Sequence, residues 1–296
     1  MFIDIHAHTM KTAGPPRNGK DAYATPECLI KRYDKIGIEK AVLLPVVNPE
    51  CSYGLQGNEE ILEICAQYPN RFIPFCNIDP RAMTNSANAP LDEILSYYKE
   101  RSCKGIGEVC ANLPFLHPLV QNLFKHAEKV GLPLTFHIAA HIGGIYGLQD
   151  DPGLPQLEMS LRSFPELLFL AHSQTFWAEM ALLETPGDRY GYPNYPIKKE
   201  GVVPKLFRCY QNLLGDLSAG SGHNALARDP EYAVKFLNEF QDRLFFGTDI
   251  CAPDTETPLV DFLLKLRAEK KVSEEVFQKV ARGNALRLFE THGGKK

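Results

Sequence analysis

The chain opens with apolar and polar residues in alternation, Phe2-Ile3-Asp4-Ile5-His6-Ala7-His8. A period of two is the signature of a β-strand. Residues i and i+2 then share a face, so His6 and His8 are expected to project together, with Asp4 beside them. Downstream, short apolar runs alternate with stretches of helical period. The runs that read as strands are Ala41–Val47, Arg71–Ile78, Gly105–Val109, Leu132–Ala139, Leu167–His172, Leu213–Ser218 and Leu244–Thr248. Helical patterns cover Pro26–Gly37, Asn58–Tyr68, Pro90–Arg101, His117–Val130, Pro155–Ser163, Phe176–Leu183, Pro230–Phe240, Pro258–Lys270 and Glu274–Phe289. Thr25 suits the N-cap of the first helix, and Gly131 suits the stop of the fourth.

Eight strands, each followed by helical sequence, predict a parallel sheet covered on both faces. A single (β/α)8 barrel over residues 1–296 accounts for all of them. An open nucleotide-binding sheet is disfavoured, because no strand leads into a Gly-x-Gly-x-x-Gly turn or a phosphate loop. The stretch 184–204, rich in Pro, Gly and Tyr, is the least regular. With Tyr190, Tyr192, Tyr195, Lys198 and Lys199 it reads equally as a lid over the barrel mouth or as a solvated or oligomer-contacting loop.

Composition narrows the function classes. The chain has 296 residues, 44% hydrophobic and 23% charged, with a net charge of −4. Acids and bases are interleaved, so nothing favours nucleic acid. No apolar run reaches the roughly 20 residues of a membrane span. The first strand starts at Phe2, which leaves no room for a signal peptide, and the eight scattered cysteines contain no Cys-x-x-Cys pair. The expectation is a cytoplasmic protein with reduced thiols. A homodimer is the default assembly.

Chemistry is expected where a parallel barrel puts it, at the C-terminal ends of the strands. His6 and His8 end the first strand, Glu108 the fourth, His137 the fifth, His172 the sixth and Asp249 the eighth. Taken singly, each has an ordinary reading. A histidine after an apolar run usually packs or caps, Asp249 suits a turn, and Glu108 suits a loop ion pair. Their joint occurrence on one rim points to a bound divalent cation, since imidazole and carboxylate together suit zinc. His141 and His223 in rim loops are candidates to touch substrate, and Arg228 is a candidate to bind a substrate carboxylate, near Ser218 and Ser221. His117 and His126 read as helix-surface or capping groups and His292 as inert. Cys110 and Cys251, each two residues past a proposed ligand, read as packed thiols.

His6-Ala7-His8, His137, His172 and the ending Phe246-Gly247-Thr248-Asp249 together resemble the amidohydrolase superfamily. The resemblance is closest to the amidohydrolase-related branch that includes amino-carboxymuconate-semialdehyde decarboxylase. The closing run Gly283-Asn284-Ala285-Leu286-Arg287-Leu288-Phe289 is similar as well. The resemblance implies His6, His8, His137 and Asp249 as metal ligands, with His172 as a second-metal ligand or proton-transfer residue. Many two-metal members carry a modified lysine on strand four. Here that strand offers Glu108, and Lys104 precedes it, so one firmly held zinc is favoured and two remain open. Asp249 then serves as general base and acid, and His172 polarises the carbonyl. The expected reaction is hydrolysis of a C–N or C–O bond in a small carbonyl compound. The alternative is non-oxidative decarboxylation of a small carboxylic acid.

Overall fold

In the computed structural model, which describes residues 1–291, the first three strands form one parallel sheet: β1 (Phe2–Ala7), β2 (Ile38–Leu43) and β3 (Phe72–Pro74). A second sheet contains β4 (Ile106–Val109), β5 (Leu134–Ala139), β7 (Phe169–His172), β8 (Leu213–Asp216) and β9 (Leu244–Phe245), again parallel. The two-residue strand β6 (Leu148–Gln149) pairs with β5 outside this order. Backbone hydrogen bonds join the sheets at both seams. Gly107 N donates to Cys76 O at 2.8 Å, and Cys76 N donates to Gly105 O at 3.0 Å. On the other side Ile5 N donates to Phe246 O at 3.0 Å and Asp249 N to His6 O at 2.8 Å. The eight main strands therefore follow one another around a barrel.

Helices α1 (Pro26–Ile36), α2 (Asn58–Gln67), α3 (Leu91–Glu100), α4 (Pro118–Val130) and α5 (Pro155–Ser163) match the sequence pattern to within a few residues. Thr25 caps α1 by accepting from Cys28 N, and Gly37 and Gly131 end α1 and α4 in the left-handed conformation. The helix expected over Phe176–Leu183 is the shorter α6 (Gln174–Ala178). Two helices have no counterpart in the expectation, α7 (Val203–Cys209) and α8 (Ala219–Ala227). Beyond α9 (Pro230–Glu239) and α10 (Pro258–Ala268), the last predicted helix divides into α11 (Glu274–Gln278), a π turn over Lys279–Gly283 and α12 (Asn284–Thr291). His292 lies outside the described residues.

Two apolar layers follow from the strand periodicity. Ile3, Ile5, Val42, Leu44, Phe75, Leu170, Leu214 and Phe245 fill the barrel interior, and α12 adds Ala285 and Leu288 to the same cluster. The opposite faces pack against the helices in a larger cluster that includes Tyr33, Phe124, Phe136, Phe169, Phe207 and Phe236. The interior cluster fills the barrel below the metal-ligand side chains and leaves the polar groups at the strand ends as its ceiling. Among the described residues no helix is long and apolar enough to cross a membrane.

The 184–204 stretch is braced rather than loose. The buried Arg189 donates from Nε to Glu179 Oε1 at 2.7 Å and from Nη2 to the carbonyls of Asp150 and Asp151 at 3.2 and 3.1 Å. Tyr195 donates to Asp188 Oδ2 at 2.8 Å.

Candidate metal centre

Strand β1 does not keep its alternation to the end. Asp4 pairs with Ala41 but Ala7 pairs with Leu43, so three residues of β1 are matched by two of β2. Such an irregularity resets which face a side chain meets. The expectation that Asp4 shares the histidines' face is thereby corrected. Its buried carboxylate accepts from Tyr33 of α1 at 2.6 Å, from Thr248 N at 2.9 Å and from Thr248 Oγ1 at 2.5 Å. Burial pushes the Asp4 carboxyl up to about 6. It ties β1 to the segment that presents Asp249.

His6 and His8 do come together, with their Nε2 atoms 3.1 Å apart. His6 Nε2 lies 3.6 Å from Glu108 Oε2 and 3.6 Å from Asp249 Oδ1. His8 Nε2 lies 3.7 Å from Glu108 Oε2 and 3.6 Å from Asp249 Oδ1. Ligand atoms about 2.1 Å from a tetrahedral ion stand about 3.4 Å from one another, so these separations suit such an ion. His137 and His172 flank this group through Glu108: His137 Nδ1 is 2.9 Å and His172 Nε2 3.9 Å from Oε1. His137 Nε2 is buried without a hydrogen-bond partner, the condition of a ligand nitrogen whose natural partner is a cation. Triads of suitable donors are formed by His6, His8 and Glu108, by His6, His172 and Asp249, and by Glu108, His137 and His172.

The far sides of the rings are also held. His8 Nδ1 meets Leu44 O at 2.9 Å, and His6 Nδ1 meets Asp216 Oδ2 at 2.6 Å. Asp216 ends β8 and is fully buried. A carboxylate on Nδ1 fixes the proton there and leaves Nε2 free to bind a cation. Ser218 N donates to Asp216 Oδ1 at 2.9 Å, while Ser218 Oγ lies 3.0 Å from His172 Nδ1. Asp216 is absent from the candidates drawn from the sequence. Its signal is the same as for the others, a carboxylate closing an apolar run, in Leu213-Leu214-Gly215-Asp216. Replacing it by asparagine is expected to weaken cation affinity about 10- to 100-fold in competition with a chelating dye. An unchanged affinity would remove Asp216 from this role.

So many buried acids and bases leave the centre short of positive charge. Burial alone would lower the His6 imidazole, but Asp216 and Asp249 outweigh it and carry it well above its ordinary value. Burial would raise Glu108, yet His137 and His6 hold it well below the usual range. His172 is lowered, by burial and then by His6. The cation-free centre thus keeps a proton on His6 that an incoming cation must expel. Apparent cation affinity is expected to rise with pH, with proton release on binding. Calorimetric titration in two buffers of different ionisation enthalpy measures this, and identical heats in both would contradict it.

Above the centre is a cavity of about 200 Å³. His8, Glu108 and Asp249 line its floor, and Pro45, Val46, Val47, Tyr23, Tyr53 and Tyr146 line its walls. Cys110 and Cys251 also open onto it instead of being wholly packed away. Burial pushes both thiols up, Cys251 to about 12, so both stay neutral.

The three substrate-contact candidates lie elsewhere. Arg228 ends α8 and donates to Ala178 O at 3.2 Å, and its burial among backbone carbonyls takes it away from the cavity lining. His141 packs its ring against Tyr190, and His223 against Phe262. The cation that does line the cavity is Arg17. His117 caps α4 as expected, but His126 is buried 2.6 Å from Asp92.

A family model described as "Amidohydrolase" matches residues 3–291. No curated protein matches the chain. Among solved structures, an uncharacterised TIM-barrel protein from Bordetella bronchiseptica is 15% identical, with a TM-score of 0.62 and 99% of both chains covered. The 5-carboxyvanillate decarboxylase LigW from Sphingomonas paucimobilis is 18% identical, with a TM-score of 0.59 and 98% of both chains covered. The 2,6-dihydroxybenzoate decarboxylase from Rhizobium is 17% identical, with a TM-score of 0.56 and 99% of both chains covered.

Proposed function

The chain belongs to the amidohydrolase family, and from that membership and the geometry of its centre we propose a metal-dependent, non-oxidative decarboxylase of a small carboxylic acid. The reading rests on one observation. A cation-ligand cluster that includes Asp249 and His172 lies under a small cavity whose walls mix apolar, phenolic and polar side chains. The decarboxylases of similar fold support it, so decarboxylation stands ahead of the hydrolysis first expected.

His6, His8, Glu108 and Asp249 would hold the cation, with His137 as a further ligand through its unpartnered Nε2. Zinc suits this mixture of imidazole and carboxylate. A divalent cation supplies Lewis acidity toward a substrate carboxylate oxygen. The chain's own groups do the rest. The bond between the carboxylate carbon and its neighbour breaks, the electron pair stays on the neighbour, and CO2 departs. One proton must then reach that carbon, and no net oxidation occurs. Asp249 opens onto the cavity and delivers the proton. His172, with Nε2 3.7 Å from Asp249 Oδ2, returns one to it. Pro45, Val46 and Val47 in the wall exclude part of the water from the carboxylate, which favours release of neutral CO2.

The test is product analysis with zinc-loaded protein in D2O, with 2,6-dihydroxybenzoate and 5-carboxyvanillate as probes. The expected result is CO2 release with one deuteron on the carbon that carried the carboxylate. An organic product that has gained oxygen from labelled water, with every carboxylate retained, would establish hydrolysis instead.

A further inference from the structure

The histidines of the centre differ in what holds the outer nitrogen of each ring. His6 Nδ1 meets Asp216 Oδ2 at 2.6 Å, His137 Nδ1 meets Glu108 Oε1 at 2.9 Å and His8 Nδ1 meets Leu44 O at 2.9 Å. Carboxylate and carbonyl oxygens only accept. Each of these Nδ1 atoms therefore carries the proton, and each Nε2 keeps a lone pair for a cation. His172 is the exception. Its Nδ1 lies 3.0 Å from Ser218 Oγ, and its distance of 3.5 Å from Asp216 Oδ2 is too long for a good hydrogen bond. A hydroxyl both donates and accepts.

Ser218 makes this contact at the expense of its own helix. It is the N-cap of α8, where a serine side chain ordinarily accepts from the first turn. Thr25, Ser173, Asp229 and Ser273 do so at the starts of α1, α6, α9 and α11. Ser218 makes no such bond. Its hydroxyl is turned to the His172 ring, and both residues are buried. The backbone fixes that aim. Ser218 N donates to Asp216 Oδ1 at 2.9 Å, and Gly247 packs so close that a Cβ on it would stand 2.7 Å from Ser218 Cβ. On the other side of the ring, His172 Nε2 lies 3.7 Å from Asp249 Oδ2.

We propose that Ser218 is a positioning residue that lets His172 carry its single proton on either ring nitrogen. With the proton on Nδ1, Ser218 accepts. With the proton on Nε2, Ser218 donates to the bare Nδ1, and a neutral ring presents an N–H toward Asp249. A pure acceptor in place of the hydroxyl forbids that second form, as it does at His6, His8 and His137. His172 alone of these rings holds a proton beside Asp249 without becoming a cation, in a centre where the His6 ring is 4.5 Å away between ring centres. The same freedom denies a second cation a permanent lone pair on this ring. The placement of the proton goes beyond the proposed function, and only its use in returning a proton to Asp249 rests on that reading.

Nitrogen-15 NMR of the zinc-loaded full chain, labelled at histidine, tests it, with His172→Gln identifying the His172 signals. Both His172 ring nitrogens are expected between the N–H and lone-pair positions, the average of two exchanging forms. In Ser218→Ala both are expected at the limit for a proton on Nδ1, because the Asp216 carboxylate is then the nearest acceptor. The Ser218 side chain does not cap α8, so this variant is expected to fold and to keep its zinc. With 2,6-dihydroxybenzoate as probe, kcat is expected to fall about tenfold or more, the worth of one hydrogen bond, with KM within about twofold. A His172 signal at the Nδ1-proton limit in the unaltered protein, or one unmoved by Ser218→Ala, overturns the proposal. So does a kcat that Ser218→Ala leaves unchanged. The expected signals without CO2 release from either probe acid support the choice of proton position and overturn the proposed function alone.

Discussion

Zinc content is expected to fall from about one equivalent per chain to almost none when His6 and His8 are both replaced by alanine. The reason is geometric. These two nitrogens stand 3.1 Å apart, and each lies 3.6 to 3.7 Å from the same pair of carboxylates. Without them the buried Glu108 and the partly exposed Asp249 are left as acids facing each other across a void, a costly arrangement for a cation-free site. Turnover should fall about a thousandfold or more, the consequence of losing several kcal/mol of charge stabilisation. Elemental analysis and a thermal scan with and without chelator read the outcome. The unaltered protein should lose melting temperature on chelation and the double variant should not, because only a folded state with the site gains from bound cation. A double variant that retains its zinc and its response to chelator would displace the centre from these residues.

Asp249→Asn separates holding the cation from moving the proton. The amide keeps the size of the carboxyl and one oxygen, so part of the zinc is expected to remain. It cannot take or deliver a proton at this position, and kcat is expected to drop about 100- to 10,000-fold. A loss of zinc matching the loss of turnover would assign Asp249 to binding alone. Unchanged kcat with zinc in place would exclude it from proton transfer. The residue's backbone supports a special placement: its φ is 54°, a conformation that aspartate tolerates better than most residues. Its N–H is fixed to His6 O at 2.8 Å, so the carboxylate is registered against the first histidine.

Strand order and most helices were legible because burial imposes period two or 3.6 wherever one face of an element meets the core. The candidate ligands were legible because a parallel barrel places strand ends on one rim. What escaped has identifiable causes. Asp4 was misread because the register irregularity in β1 is set by pairing with β2, which no local pattern records. Helix α8 was overlooked because Gly220 and Gly222 weaken its helical signal. Gly222 is there for close approach, since a Cβ would stand 2.1 Å from Leu217 O. Arg228 follows the end of β8 at the far end of α8, and that helix carries it away from the rim. Arg17 sits in a loop without periodicity, and only the fold shows that it reaches the cavity.

The closing seam of the barrel has a consequence for how the centre comes into being. Two imidazoles stand at the end of β1, and while one edge of that strand pairs with β2, the other is bonded by residues 246–250. The carboxylate opposite them, Asp249, is translated at the same late moment, and Asp216 not long before. A nascent chain paused ahead of residue 249 has imidazoles to offer but lacks one carboxylate of the cluster and the seam that registers it. Assembly of the full ligand set therefore waits until everything from β1 to residue 250 has been made and closed into the barrel.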